Sequence, residues 1–425
     1  MKYKAWKLWV KQLPLSMKWF VVLILLRPII DVFYFLKEIS PLVSPLYIVG
    51  ILTPVLIGVS FLSRKFPKKL PSLIIDTNFG LWSLIVIFNL LLLFVIETGF
   101  QLVGNLLRYT APILLYFYLR HFIKSKKDMI GLLQTFFYSA IIPATFLFYE
   151  LIVSPINPEY LSAGRGGEVR MQGAYADIMN YAIYALGALL IRLYFYLRLS
   201  QFRKARIKDK IMLLVVILSC FAGLVAIKQS SSWAVGLFIG FLFLVFSMRN
   251  IKGVFVVILM LPFLLFIGQK VFNSKIEPLI QKEYKVLDGS ADVSRSFNGR
   301  MSRWIKYFDI WSEMSVTSNL LGAPISGNKK ASVMISGGMH SDYVRVLFLS
   351  GIIGLSLYLL FLFNIIRRFT LVRAPEKFLI IGVVVTIALL SISTTPLLYV
   401  PFTYYIFPIL AYVALPKPIL LSKDV

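Results

Sequence analysis

The sequence predicts an all-α integral membrane protein of about twelve transmembrane helices, with both termini cytoplasmic and with one long and one shorter extracytoplasmic loop. Three observations predict it. Apolar residues make up 59% of the 425, only 15% are charged, and the mean hydropathy is +0.81, far from soluble averages. The apolar residues fall in long runs, and a bilayer, which offers the backbone no hydrogen-bonding partner, turns such runs into helices. The net charge of +26 sits in short Lys/Arg clusters between those runs, a pattern of membrane topology and not of a nucleic-acid-binding surface.

In chain order the predicted spans are 19–36, 43–63, 79–96, 102–120, 130–152, 173–197, 211–227, 231–248, 253–269, 341–366, 378–394 and 401–416. The first carries Arg27 and Asp31 and lacks a small-x-small cleavage pattern, so it reads as a retained helix whose two charges neutralise each other at i, i+4. Proline interrupts the second and the last. Basic clusters at the amino end and at Arg64–Lys69, Arg120–Lys127, Arg198–Lys210, Arg249–Lys252 and Arg367–Lys377 recur at every second loop, and the Lys/Arg bias of short loops assigns them to the cytoplasm. His121 falls in one of these clusters and reads as part of a solvated basic loop. The single cysteine, Cys220, excludes an internal disulfide and a Cys-based zinc site. The chain thus divides into 1–269, which holds nine helices and the shorter outer loop at about 153–172, a large outer loop over 270–340, and three helices with a cytoplasmic tail over 341–425.

Chemistry is expected where the outer loops are long. In the shorter one, the run Gly164 to Gly173 combines glycines, which allow close backbone approach, with Arg165 and Arg170, which offer anion contacts. In the longer one, Trp304, Tyr307, Phe308 and Trp311 recur at helical spacing after the Asn298-Gly299 turn, so an amphipathic helix is expected to lie flat against the membrane. That places Arg300 and Arg303 at its leading turn, where rigid guanidinium forks can bind phosphate oxygens in pairs; an interfacial anchor with snorkelling arginines is the alternative. His340 follows Gly337-Gly338 at the mouth of the tenth span, and an ordinary imidazole pKa of about 6.5 suits a general base. Arg108, Asp31, Asp177 and Arg345 share a depth near the outer ends of their spans, and Lys228 sits in an outer turn. Charges inside spans point into protein or water, so these predict a polar hollow open to the outside.

The carboxy-terminal half resembles the superfamily of O-antigen polymerases and O-antigen ligases. The resemblance rests on Arg300 to Trp304 (R-x-x-x-W), on Leu320-Leu321-Gly322, and on His340-Ser341-Asp342-Tyr343 followed by Gly351-Ile352-Ile353-Gly354-Leu355. Arg170-Met171-Gln172-Gly173 is similar to the R-x-x-G that opens a mid-chain helix in many members. It implies a glycosyltransferase acting on glycans carried by polyprenyl diphosphate at the outer face of a bacterial cytoplasmic membrane, without nucleotide sugar, cofactor or metal. By the same resemblance His340 is the base on the acceptor hydroxyl, and Arg170 and Arg300 contact the diphosphate, assisted by Arg303. Trp304, Tyr343, Arg108, Arg165, Arg345 and Lys228 complete the expected substrate-binding set. Ser231-Ser232-Trp233-Ala234 stands where many members carry Ser-Arg-Gly, so an arginine contact is missing or passes to Lys228. The expected partners are the polyprenyl-diphosphate-linked oligosaccharide, membrane lipids, and a chain-length regulator and flippase of the same pathway, with no nucleic acid. A polymerase is expected; a ligase of the finished glycan and a transporter of lipid-linked sugars are the alternatives.

Overall fold

Apolar runs without a backbone partner in lipid must close their hydrogen bonds locally, and a computed structural model of the chain is helical throughout, with no strand among the described residues. Those residues are 3–39, 44–63, 74–96, 100–158, 171–202, 205–247, 281, 284–285, 288, 300–327, 339–417 and 420. In chain order the helices are α1 (Tyr3–Gln12), α2 (Leu15–Val32), the one-turn α3 (Leu36–Ile39), α4 (Pro45–Ser63), α5 (Ile74–Ile96) and α6 (Phe100–Phe122). There follow α7 (Lys126–Ser139), α8 (Ile141–Ile152), α9 (Ile178–Phe202), α10 (Ile207–Ala226) and α11 (Ser230–Ser247). The last five are α12 (Arg300–Ser312), α13 (Val316–Leu321), α14 (Asp342–Arg367), α15 (Ala374–Ser393) and α16 (Val400–Val413).

A helix covers most or all of each predicted span except 253–269, which lies outside the described residues. Seven stretches among them are long and apolar enough to cross a membrane: Ile75–Leu93, Lys126–Ile152, Ile178–Gln201, Ile207–Ala226, Ser230–Ser247, Asp342–Leu371 and Ala374–Ser393. The outer faces of the bundle suit a bilayer. Leu84, Leu218, Leu237 and Phe241 are each more than half exposed, and apolar area on that scale needs lipid or protein to cover it.

Two features were not legible as periodicity. The last helix, α16, is only 14 residues long, about 21 Å, and is buried all round from Pro401 to Val413. It is the axis of the bundle, packed by α6, α7, α9 and α15. Phe136 of α7 stacks on Tyr184 of α9 at 5.5 Å and meets Tyr405 of α16 at 4.8 Å.

The second feature is a break in α14. Gly351 takes φ +66 and ψ −173, so the predicted tenth span is two helical pieces. The break exists because other backbone fills it. A Cβ on Gly351 would lie 2.2 Å from the carbonyl oxygen of Leu320, and a Cβ on Gly322, itself at φ +122, would lie 2.5 Å from the carbonyl oxygen of Leu349. Both positions therefore require glycine twice over, for backbone angle and for space. Asn89 of α5 completes the joint, its side-chain amide donating to the Leu321 carbonyl at 2.8 Å. Asn89 lies about 10 Å inside the end of α5, so α13 and the turn after it re-enter the bundle, where irregular backbone is tolerated because protein surrounds it.

Candidate functional site

Contacts sort the charged residues to two ends of the bundle. At the end bearing the basic clusters, Arg120 of α6 meets Asp76 of α5 at 3.1 Å, with the Tyr116 hydroxyl donating to the same carboxylate at 3.0 Å. Lys126 reaches Glu376 at 2.8 Å, and Tyr194 donates to it at 3.0 Å. Arg120 and His121 are buried here, which corrects the expectation of a solvated basic loop. The reason is that α6 runs on through both residues to Phe122, which carries Arg120 against Asp76 of α5.

His340 stands at the opposite end. It takes φ +48, uncommon for a side chain with a Cβ, and is exposed, between the buried Met339 and Ser341. The neighbours hold it there. Ser341 donates through Oγ to the Ser391 carbonyl at 3.0 Å, and the Asp342 amide donates to the Thr394 carbonyl at 3.0 Å. The Asp342 carboxylate accepts from the Leu397 amide at 3.2 Å, and Tyr343 donates to the Ala388 carbonyl at 3.2 Å. Three consecutive residues, through four hydrogen bonds, thus fasten the mouth of α14 to the end of α15 and the turn after it, with His340 exposed beside them.

Beneath the mouth lies a loosely closed cation. Arg345 is 6% exposed; its Nη1 lies 3.6 Å from Asp342, beyond hydrogen-bonding range, and has no hydrogen-bond acceptor among the described residues. Its guanidinium lies 5.9 Å from the centre of the Tyr109 ring, at the outer limit of a cation–π contact. A cavity of about 30 Å³ with mainly apolar walls, among them Trp82, Phe361 and Leu397, adjoins Arg345, Asp342 and Tyr109. Tyr399, just before α16, donates to Asp177, just before α9, and lies within electrostatic reach of Arg108 and Arg345. Burial and the Asp177 carboxylate hold its phenol well above the ordinary range, so it remains a donor at any working pH. Arg108 is exposed at the rim of the same cluster. The turn between α10 and α11 closes one side: Gln229 reaches the Met179 sulfur at 2.8 Å, bringing the half-buried Lys228, at φ +50, to the end of α9 that follows Asp177.

Arg165 and Arg170 lie outside the described residues, but both ends of their loop are pinned. Buried Glu150, near the end of α8, accepts from the amides of Gly173 and Ala174, each at 2.7 Å, and from Ile156 at 3.4 Å. Asn157 donates to the Ala174 carbonyl at 2.8 Å. A carboxylate that takes three backbone amides is a staple for whatever the loop carries.

The aromatic helix also lies at this end. Trp304, Tyr307 and Trp311 pack on the protein core, Tyr307 against Phe348 of α14 at 6.0 Å, and of the four aromatic residues only Phe308 faces outward, 47% exposed. Three rings of the stripe thus face the core, with Tyr307 meeting α14. Arg300 opens α12, and Arg303 is exposed one turn on.

Asp31 does not join the mouth. It pairs with Arg27 at 2.7 Å, both buried, with Tyr184 and Tyr404 within electrostatic reach, as its i, i+4 spacing suggests. Tyr109, Tyr399, Asn89 and Glu150 were missed from sequence. Glu150, an acid inside a span, carried a signal; the other three are polar residues in apolar runs whose partners are remote. No family model matches the chain, and no curated protein matches it.

Proposed function

We propose that this chain is a glycan polymerase of a bacterial cytoplasmic membrane, moving a growing chain from polyprenyl diphosphate onto the next lipid-linked repeat unit at the outer face. One observation carries the reading: an exposed imidazole, strained into the left-handed region, shares an end of the bundle with Arg108, Arg303 and the under-partnered Arg345. Base and cations are the two things that displacement of a diphosphate requires. The resemblance in Arg300 to Trp304 and in His340 to Tyr343 points the same way.

The chemistry follows from that placement. His340 takes the proton of the acceptor hydroxyl as its oxygen bonds to the anomeric carbon of the donor. The bond from that carbon to the diphosphate oxygen breaks, and its electron pair leaves with the diphosphate. Arg303 and Arg108, with Arg170 and Arg300, meet that growing negative charge. Arg345, buried over Tyr109, adds positive potential from below, and Lys228 does so from the side. Trp304 and Tyr343 shape the walls for sugar. His340 returns its proton to solvent or to the departing diphosphate, and the site is ready again.

A ligase differs only in the acceptor, and the same residues would serve it. The break at Gly351 is a feature shared with secondary transporters, whose substrate sites form at discontinuous helices. Here the break is filled by the Leu320 to Gly322 backbone, which favours a fixed joint over a moving gate. Purified protein given a lipid-linked repeat unit should elongate it, and His340→Ala should slow elongation by about 100-fold or more while the protein stays inserted and monodisperse. If His340→Ala elongates normally, or if the parent protein only moves the lipid across the bilayer, the reading fails.

A further inference from the structure

A second, independent cavity lies at the basic end of the bundle. α1 is amphipathic, with Trp6 and Trp9 turned to α7: the Trp6 indole donates to Thr135 at 3.0 Å and the Trp9 indole to Asp128 at 3.3 Å. Lys4, Lys7 and Lys11 are exposed, as are Tyr3 at 60% and Leu8 at 60%. At Pro14 the chain turns into α2, whose first residues, Leu15 and Trp19, are 71% and 53% exposed on the outside of the bundle. An exposed tryptophan one turn into a spanning helix marks headgroup level, and a basic amphipathic helix beside it is the signature of an interfacial segment.

Between α1, the start of α2 and the turn from α6 to α7 is a hollow of about 300 Å³, within the range of small-ligand sites. Its floor is apolar, from Trp9, Leu13 and Phe122, and its rim carries the exposed amines of Lys124 and Lys127. The one acid in the lining is already engaged. Asp128 accepts from the Lys124 amide at 3.2 Å, the Ser125 amide at 3.1 Å, the Ser125 hydroxyl at 2.8 Å and the Trp9 indole. The Lys127 ammonium donates to the Gln12 side-chain carbonyl across a long 3.5 Å.

We infer that this hollow binds the headgroup of an anionic phospholipid, with Lys124 and Lys127 on its phosphate and its acyl chains running down α2 past Leu15 and Trp19. Charge chooses the anion, and the apolar floor, with Pro14 in its lining next to exposed Leu15, chooses a lipid over a free ion. Basic pockets at the ends of spanning helices recognise anionic headgroups on this physical basis. The role is distinct from the chemistry proposed at the other end: it fixes the depth and tilt of the amino-terminal helices.

The test is native mass spectrometry of the full chain released from nanodiscs of phosphatidylcholine with a minority of phosphatidylglycerol. The parent should retain phosphatidylglycerol selectively. Lys124→Gln with Lys127→Gln should weaken retention about thirtyfold, the sum of two surface amines. Lys124→Arg with Lys127→Arg should keep it. Lys208→Gln with Lys210→Gln, which removes the same charge from exposed positions at the start of α10, should leave it unchanged. Equal loss from both glutamine pairs would reduce the effect to diffuse attraction and overturn the site. Displacement of the lipid by inorganic phosphate, or no preference for phosphatidylglycerol in the parent, would overturn it as well.

Discussion

The two ends of the bundle use the same chemical groups in opposite ways. At the basic end, Arg120, Asp76 and Tyr116 close on each other at 3.0 to 3.1 Å, and Lys126, Glu376 and Tyr194 at 2.8 to 3.0 Å. At the His340 end, Arg345 and Asp342 stand 3.6 Å apart with a cavity beside them, and Arg108 and His340 are exposed at the rim. Each guanidinium has one buried nitrogen with no acceptor among the described residues, so the difference lies in closure. A pair in contact, as at Arg120, locks helices together; one that stands open beside a cavity, as at Arg345, retains capacity for an anion from outside, and that asymmetry, more than the presence of charge, separates a scaffold from a site.

Substitutions should divide along the same line. The largest effect is expected from His340→Ala: elongation of a lipid-linked repeat unit should fall about 100-fold to 10,000-fold, the usual worth of a positioned base, with the melting temperature unchanged. Asp76→Ala should show the inverse, costing about 3–5 kcal/mol in detergent unfolding by stranding buried Arg120, while the folded fraction keeps its activity per molecule. Should Asp76→Ala abolish turnover in folded protein, the contrast between the ends collapses. Arg303→Gln is expected to weaken elongation by roughly 10-fold to 100-fold, the worth of a charge-assisted contact, again without loss of stability since the side chain is exposed. The smallest effect belongs to Tyr399→Phe, about 1.5 kcal/mol of stability from one lost hydrogen bond to the Asp177 carboxylate, which a thermal unfolding series resolves.

How much of this was legible depends on the range of the interaction. Helices could be read because hydropathy is local, and the Arg27–Asp31 pair could be read because helical spacing fixes it at i, i+4. Burial of α16 on every side could not, since an apolar run looks the same whether lipid or protein surrounds it. Nor could the joints that shape the mouth: Asn89 with Leu321, and Asp177 with Tyr399, link residues more than 200 positions apart. Composition misled once. Arg120 and His121 sit among lysines yet are buried, because protein took the place that solvent would have filled.

Which end faces away from the cytoplasm decides between a transferase of exported lipid-linked glycans and everything else. In a Cys220→Ala background, which removes the single buried native thiol, a cysteine replacing His340 and another replacing Lys127 can be offered a membrane-impermeant maleimide in intact cells. The account predicts that H340C is labelled from outside and that K127C is labelled only after the membrane is opened. Labelling of K127C in intact cells, with H340C protected, would contradict it.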